Sequence, residues 1–184
     1  MRADRVPRPT MTSPRLSLRE ATSADAASIA DVHEASICAF GSDGYDDEQV
    51  RAWLSNAHPE RYPLEEDGFR VVVADHEADG VVGFGLLDCE PAGRDDPSTG
   101  EIGAVYVHPN HARRGIGRAM LEALESAARD AGLETLVLTA SRNAVGFYER
   151  QGYEGVETVA LEMQDDVALA CLRMRTQLED GQSR

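Results

Sequence analysis

The chain has 184 residues, 42% hydrophobic and 28% charged, enough for one domain that buries about two thirds of its unfolded surface. Its 33 acidic residues against 18 basic ones leave a net charge of −15, and every basic residue is an arginine. That balance argues against a nucleic-acid partner, and the missing lysine excludes both a pyridoxal phosphate Schiff base and a P-loop lysine.

The first 14 residues are basic but have no apolar stretch, so they read as a disordered tail rather than a secretory signal, with Met11 as an alternative start. Arg15 to Arg19 alternates as a first strand. Thr22 or Ser23 then caps a helix running to about Ala39, with Ile29, Val32, His33 and Ile37 on its apolar face. Gly41 to Gly44 breaks it, and a second helix over Asp46 to about Asn56 turns Val50, Trp53 and Leu54 inward. A loop follows to Gly68. Phe69 to Ala74 and Val81 to Leu87 form a hairpin, and Pro91 to Gly100 is an exposed connection. Glu101 to Val107 is the next strand, ending at His108 and Pro109. Met120, Leu121, Leu124 and Ala128 recur at helical spacing within a helix from Gly115 to about Ala131, closed by Gly132. Glu134 to Thr139 is a strand and Ala144 to Arg150 a short helix. Val156 to Met163 and Val167 to Met174 form a closing hairpin, and 177–184 a C-terminal tail. The order β-α-α-β-β-β-α-β-α-β-β implies one α/β domain over 15–176, of the α+β kind, with helices flanking a mixed sheet.

No apolar run approaches the roughly 18 residues needed to span a bilayer, so a cytoplasmic location with no membrane partner is expected. Cys38, Cys89 and Cys171 lack C-x-x-C spacing and are expected as buried, reduced thiols. His108 and His111 have H-x-x-H spacing without an evident third ligand, and no metal is expected. An acidic, lysine-free chain suits a cytosol of molar salt, where charges are screened over about 3 Å. A GC-rich genome that replaces lysine codons by arginine codons is the other account.

The most informative stretch is His111-Ala112-Arg113-Arg114-Gly115-Ile116-Gly117-Arg118, between a strand end and a helix start. A helix N-terminus offers unpaired N–H groups and about half a positive charge, and consecutive N–H groups in such a turn converge on an anion. Gly115 and Gly117 let backbone approach that anion, while Arg113, Arg114 and Arg118 can fork onto phosphate oxygens. Arginine is unfavourable at a helix N-terminus unless an anion is present, so the loop points to a pyrophosphate-bearing cofactor. A Rossmann reading is weakened by Met120 at the third glycine position.

Residues 101 to 156, together with the strand and helices before them, resemble the GNAT superfamily of N-acetyltransferases. The resemblance implies a GNAT-like acyl-CoA N-acyltransferase fold, with a central, mostly antiparallel sheet flanked by about four helices. It makes acetyl-CoA the acyl donor, the loop through Ile116 its pyrophosphate site, and the strand at Val105, Tyr106 and Val107 a pairing edge for the pantetheine arm. Ala112 departs from the family's polar first loop position. Tyr148 matches the tyrosine beside the thioester sulfur, where a phenol can protonate the leaving thiolate. Ser141 stands where asparagine is usual. Either it or Asn143 can hydrogen-bond the cofactor amide, and Asn143 can instead cap the helix. Glu101 is the candidate base, although relatives carry a carboxylate two positions later, where Gly103 stands; Glu101 can also be a simple strand-end charge. His33 reads as core or pocket wall. Residues 40 to 68 resemble the segment that covers the acceptor pocket, where Asp43, Asp46, Asp47, Glu48, Glu65, Glu66 and Asp67 can attract a cationic amine; on so acidic a chain the favoured reading is a solvated loop. The expected reaction moves acetyl directly to a primary amine, on a small molecule or a peptide, in a ternary complex. A non-catalytic acyl-CoA-binding module is the alternative, and a homodimer is left open.

Overall fold

In the computed structural model, residues 15–179 are described. The expected tail at 1–14, the start at Met11 and residues 180–184 lie outside them. Seven strands form one sheet: β1 (Leu16–Glu20), β2 (Phe69–His76), β3 (Gly80–Asp88), β4 (Thr99–Val107), β5 (Thr135–Ser141), β6 (Glu154–Glu162) and β7 (Ala168–Gln177). Their spatial order is β1-β2-β3-β4-β5-β7-β6. All neighbours are antiparallel except β4 and β5. Four α-helices flank the sheet, as expected: α1 (Ala26–Phe40), α2 (Asp47–Leu54), α3 (Ile116–Asp130) and α4 (Val145–Arg150). Among the described residues no helix is long and apolar enough to cross a membrane.

The central strands read as unbroken apolar runs because both faces are covered. Val71 and Val73 of β2 join Phe84, Ile29 and Val32 under α1, whereas Ala74 and Val72 pack with Met120 and Ile116 of α3 on the opposite face. Helix α3 buries Ile116, Met120, Leu121, Leu124 and Ala128 along one stripe, each large side chain stabilising the fold by about 1.5–3 kcal/mol relative to exposure. It stops at Gly132, whose φ of 78° is the left-handed conformation that closes a helix.

The turn into α1 is fastened by charge. The Thr22 N–H donates to Asp25 Oδ2 at 2.8 Å, and the Arg19 guanidinium forks onto both Asp25 oxygens at 2.8 Å. These contacts hold the buried Asp25 carboxyl well below the usual carboxylate range. Helix α2 opens with a capping box between Asp46 and Gln49. The cysteines only partly match expectation. Cys171 is buried, Cys89 is half-buried, and Cys38 is exposed because it lies on the outward face of α1. Leu178, just past β7, still donates its N–H to Glu134 O at 2.8 Å, so the chain is held past Gln177.

Candidate active site

The parallel pair β4 and β5 stays together for only four residue pairs, from Thr99–Thr135 to Ile102–Leu138. Beyond that point the strands part. The cause lies on the other side of β4, where the register with β3 slips between Leu86 and Leu87 and leaves Gly103 as the extra residue of a β-bulge. A bulge bends its strand and increases local twist. Gly103 also sits so close to Leu86 that an added Cβ would lie 2.7 Å from its Cδ2. A carboxylate at this position would therefore displace Leu86. From Ala104 to Val107, β4 keeps β3 as a partner on one edge, while the edge toward β5 has no strand beside it. Backbone groups there are free to pair with an extended ligand.

This gap opens into a cavity of about 790 Å³. At one mouth stands the loop into α3. Arg113 and Gly115 both adopt positive φ, 60° and 81°, and Gly115 is the N-cap of α3. Alternation into the left-handed region turns successive N–H groups toward one side, which is the geometry of an anion-binding nest. Arg118 pairs with Glu122 at 2.8 Å on the exposed face of α3. Among the described residues, neither Arg113 nor Arg114 has a carboxylate partner. Arg113, Gly115, Ile116, Gly117 and Arg118 line the cavity, whereas Arg114 lines a neighbouring cleft. A Cβ built on Gly117 would lie 3.5 Å from the Phe147 ring and 3.7 Å from Val107, so loop, strand end and α4 meet at this point.

Val105, Tyr106 and Val107 form the floor, and Ser141, Asn143 and Tyr148 the opposite wall. Tyr148 is 7% exposed. Burial raises its phenol well above the ordinary value near 10. Asn143 does not cap α4; its Nδ2 donates to Phe40 O at 3.2 Å and ties the β5–α4 turn to the end of α1. Glu101 is not on the cavity wall. Its carboxylate accepts from Arg173 Nη1 at 3.3 Å, and that nitrogen also reaches Thr139 Oγ1 at 3.3 Å. Thr139 does line the cavity.

The second mouth was only partly legible in the sequence, through Asp43. Asp43, Phe40 and Trp53 come from the α1–α2 region, and Leu169 and Cys171 from β7. They converge because Tyr45 pins the α1–α2 turn across the sheet. Its hydroxyl donates to Ala170 O at 2.9 Å and accepts from the Arg142 N–H at 3.0 Å. Of the other acidic groups expected near the pocket, Asp46 caps α2, and Asp46, Asp47, Glu48, Glu65, Glu66 and Asp67 do not line the cavity. His33 is core, as expected. Its Nδ1 lies 3.0 Å from the Tyr62 hydroxyl, its ring centre is 4.2 Å from that of Tyr106, and burial pushes its pKa down to about 4.

The sequence model of the acetyltransferase (GNAT) family matches residues 30–153. The chain belongs to this family. Among GNAT proteins it is 32% identical over 90 residues to a mycothiol acetyltransferase of Kocuria rhizophila, covering 47% of the chain and 30% of that relative. The chain thus spans less than two thirds of that relative's length. A GCN5-related N-acetyltransferase from Rhodopseudomonas palustris superimposes with a TM-score of 0.76 at 27% identity, covering 94% of this chain and all of the other. The PaiA N-acetyltransferase of Thermoplasma acidophilum, solved in complex with coenzyme A, shares the fold with a TM-score of 0.71 at 17% identity, covering 89% and 99% of the two chains. The GNAT fold is therefore established, with its parted strands at β4 and β5.

Proposed function

We propose that this GNAT protein transfers an acetyl group from acetyl-CoA to a primary amine by direct attack in a ternary complex. The observation that carries the reading is the cavity between the parted ends of β4 and β5, with an anion-binding loop at one mouth and a buried phenol in its wall. In this reading the backbone from Arg113 to Arg118 holds the pyrophosphate, joined by the Arg113 and Arg114 side chains. The pantetheine arm pairs with β4 at Val105 and Val107 as an added strand, and Ser141 or Asn143 meets its amide from the β5 side, Ser141 being the freer of the two because Asn143 Nδ2 donates to Phe40 O. The coenzyme A bound in the Thermoplasma relative supports this donor.

The chemistry then follows from the wall residues. A neutral amine forms a bond to the thioester carbon, the C–S bond breaks, and Tyr148 gives its proton to the departing thiolate. Glu101, whose carboxylate does not reach the cavity itself, takes the amine proton through water beside Thr139, while Arg173 holds the carboxylate in place. Cys171 lies on the wall, but its sulfur neighbours the Tyr45 hydroxyl at 3.5 Å, and burial raises that phenol rather than making it a base. This favours direct attack over an acetyl-cysteine intermediate. Asp43, Phe40 and Trp53 at the second mouth suit an amine that carries an apolar body. The engagement of Glu101 by Arg173 favours the rival reading, a binding-only acyl-CoA module. Calorimetry with acetyl-CoA beside thiol release over a panel of amines separates the two: turnover on any amine supports the enzyme, while tight binding with no release on every amine supports the module.

A further inference from the structure

A second constellation lies outside the cavity. His76 ends β2, Asp79 sits in the β2–β3 turn, and His111 closes the 3₁₀ turn after β4. Asp79 Oδ2 is 3.0 Å from His76 Nδ1 and 3.0 Å from His111 Nε2, and the donor atoms of all three residues lie within 4.8 Å of one another. The two imidazole rings are 4.8 Å apart and tilted by 60°. His111 is 8% exposed. His76 Nδ1 is buried and, among the described residues, makes no hydrogen bond; the carboxylate 3.0 Å away is out of line for one. A buried polar atom without its partner calls for a reason.

We propose that His76, Asp79 and His111 form a binding site for a divalent transition cation of the zinc class. Such ions sit about 2.0–2.2 Å from imidazole nitrogen and carboxylate oxygen, so donors round one ion lie about 3–4 Å apart. The separations here are near that range, and an ion would use the Nδ1 lone pair that no hydrogen bond uses. Two imidazoles and one carboxylate favour zinc, cobalt or nickel over calcium or magnesium, which prefer all-oxygen shells. Three protein ligands leave a fourth position for water on the side of a cleft of about 350 Å³ lined also by His108, Asn110 and Arg114.

The backbone holds these ligands in place before any ion arrives. Asp79 N donates to His76 O at 3.2 Å, His111 N to His108 O at 2.9 Å, and His108 N to Val82 O at 2.8 Å. His108 itself does not join the cluster, its ring centre being 6.5 Å from that of His111. The H-x-x-H spacing is thus not the ligand pair; the partners of His111 come from a hairpin some thirty residues earlier in the chain. Because Ala112 and Arg113 follow His111 directly, an ion here ties the foot of the anion-binding loop to the β2–β3 turn.

The test uses the untagged full chain, stripped with a chelator and dialysed. Zinc titrated by calorimetry and cobalt by its visible ligand-field absorption should each show one site per chain. Zinc at a hundredfold over its Kd should raise Tm by about 5–10 °C. Asp79→Ala, a change at a half-exposed turn position, should weaken both metals at least tenfold, and His76→Gln should do the same. His58→Gln, remote in the loop before Pro59, should change neither. A chain that takes up no zinc or cobalt saturably, or an Asp79→Ala variant that binds them as the parent does, would overturn the site.

Discussion

A phenol held above its ordinary pKa by burial keeps its proton throughout the neutral range, so Tyr148 is in the form that the proposed acid role requires. Replacing it with phenylalanine removes the proton while keeping the ring that packs against Phe147 and Tyr153. Tyr148→Phe should therefore lower kcat by about a hundredfold or more with little change in acetyl-CoA affinity, as steady-state kinetics beside calorimetry will show. His33 gives a different residue-scale prediction. Folded His33 stays neutral down to about pH 4, whereas the unfolded chain takes up the proton near pH 6.5. Its contribution is fully present above pH 6.5 and drains away as the pH falls toward 4, because the unfolded state binds the extra proton. Over that window the parent should lose up to about 3 kcal/mol more than His33→Gln. Urea unfolding at several pH values checks this; parallel curves for the two proteins would show that His33 is not the group responsible.

Single elements carry the cavity. Gly115 holds φ at 81° as the N-cap of α3, and a Cβ there is strained although nothing lies within 4 Å of it. Gly115→Ala should lower stability by about 1–2 kcal/mol and raise the KM for acetyl-CoA, since the strain is relieved only by turning N–H groups away from the anion. Leu124, fully buried between α3 and the sheet, should lose about 2–5 kcal/mol as Leu124→Ala, read from urea unfolding, with the loop chemistry intact. At this scale much was legible beforehand. Helical periodicity placed α1 and α3 because each buries one repeating stripe, continuous apolar runs placed β2 and β3, and the loop from Arg113 to Arg118 was marked by arginines at a helix start. What could not be read was tertiary. Nothing in the spacing showed that Gly103 is a bulge residue, that Arg173 from β7 would occupy Glu101, or that Tyr45 would draw Asp43 and Trp53 to the second mouth. These contacts join residues far apart in sequence, and pattern along one strand carries no information about which distant strand lies beside it. The meeting of His76 and Asp79 with His111 was hidden for the same reason.

Over the whole molecule a net charge of −15 with arginine as the only strong base makes self-repulsion a standing term against the compact state. Salt screens it, so stability measured by urea unfolding should rise between low and molar salt; equal stability in both would contradict adaptation to a saline cytosol and favour the codon account. Against that acidic background the cavity wall carries both signs of charge, with Arg113, which has no carboxylate partner among the described residues, on the loop into α3 and Asp43 beside the α1–α2 turn. In the proposed reaction, that arrangement would draw an anionic cofactor and a cationic amine to different parts of the same cavity. The most direct test supplies acetyl-CoA with a deuterated acetyl group to the full chain beside a panel of primary amines, and follows each amine by mass spectrometry. The account predicts that at least one amine gains the labelled acetyl group, and gains it far more slowly with Tyr148→Phe. An enzyme preparation that binds acetyl-CoA yet labels no amine, or that labels amines equally well without the Tyr148 hydroxyl, would contradict it.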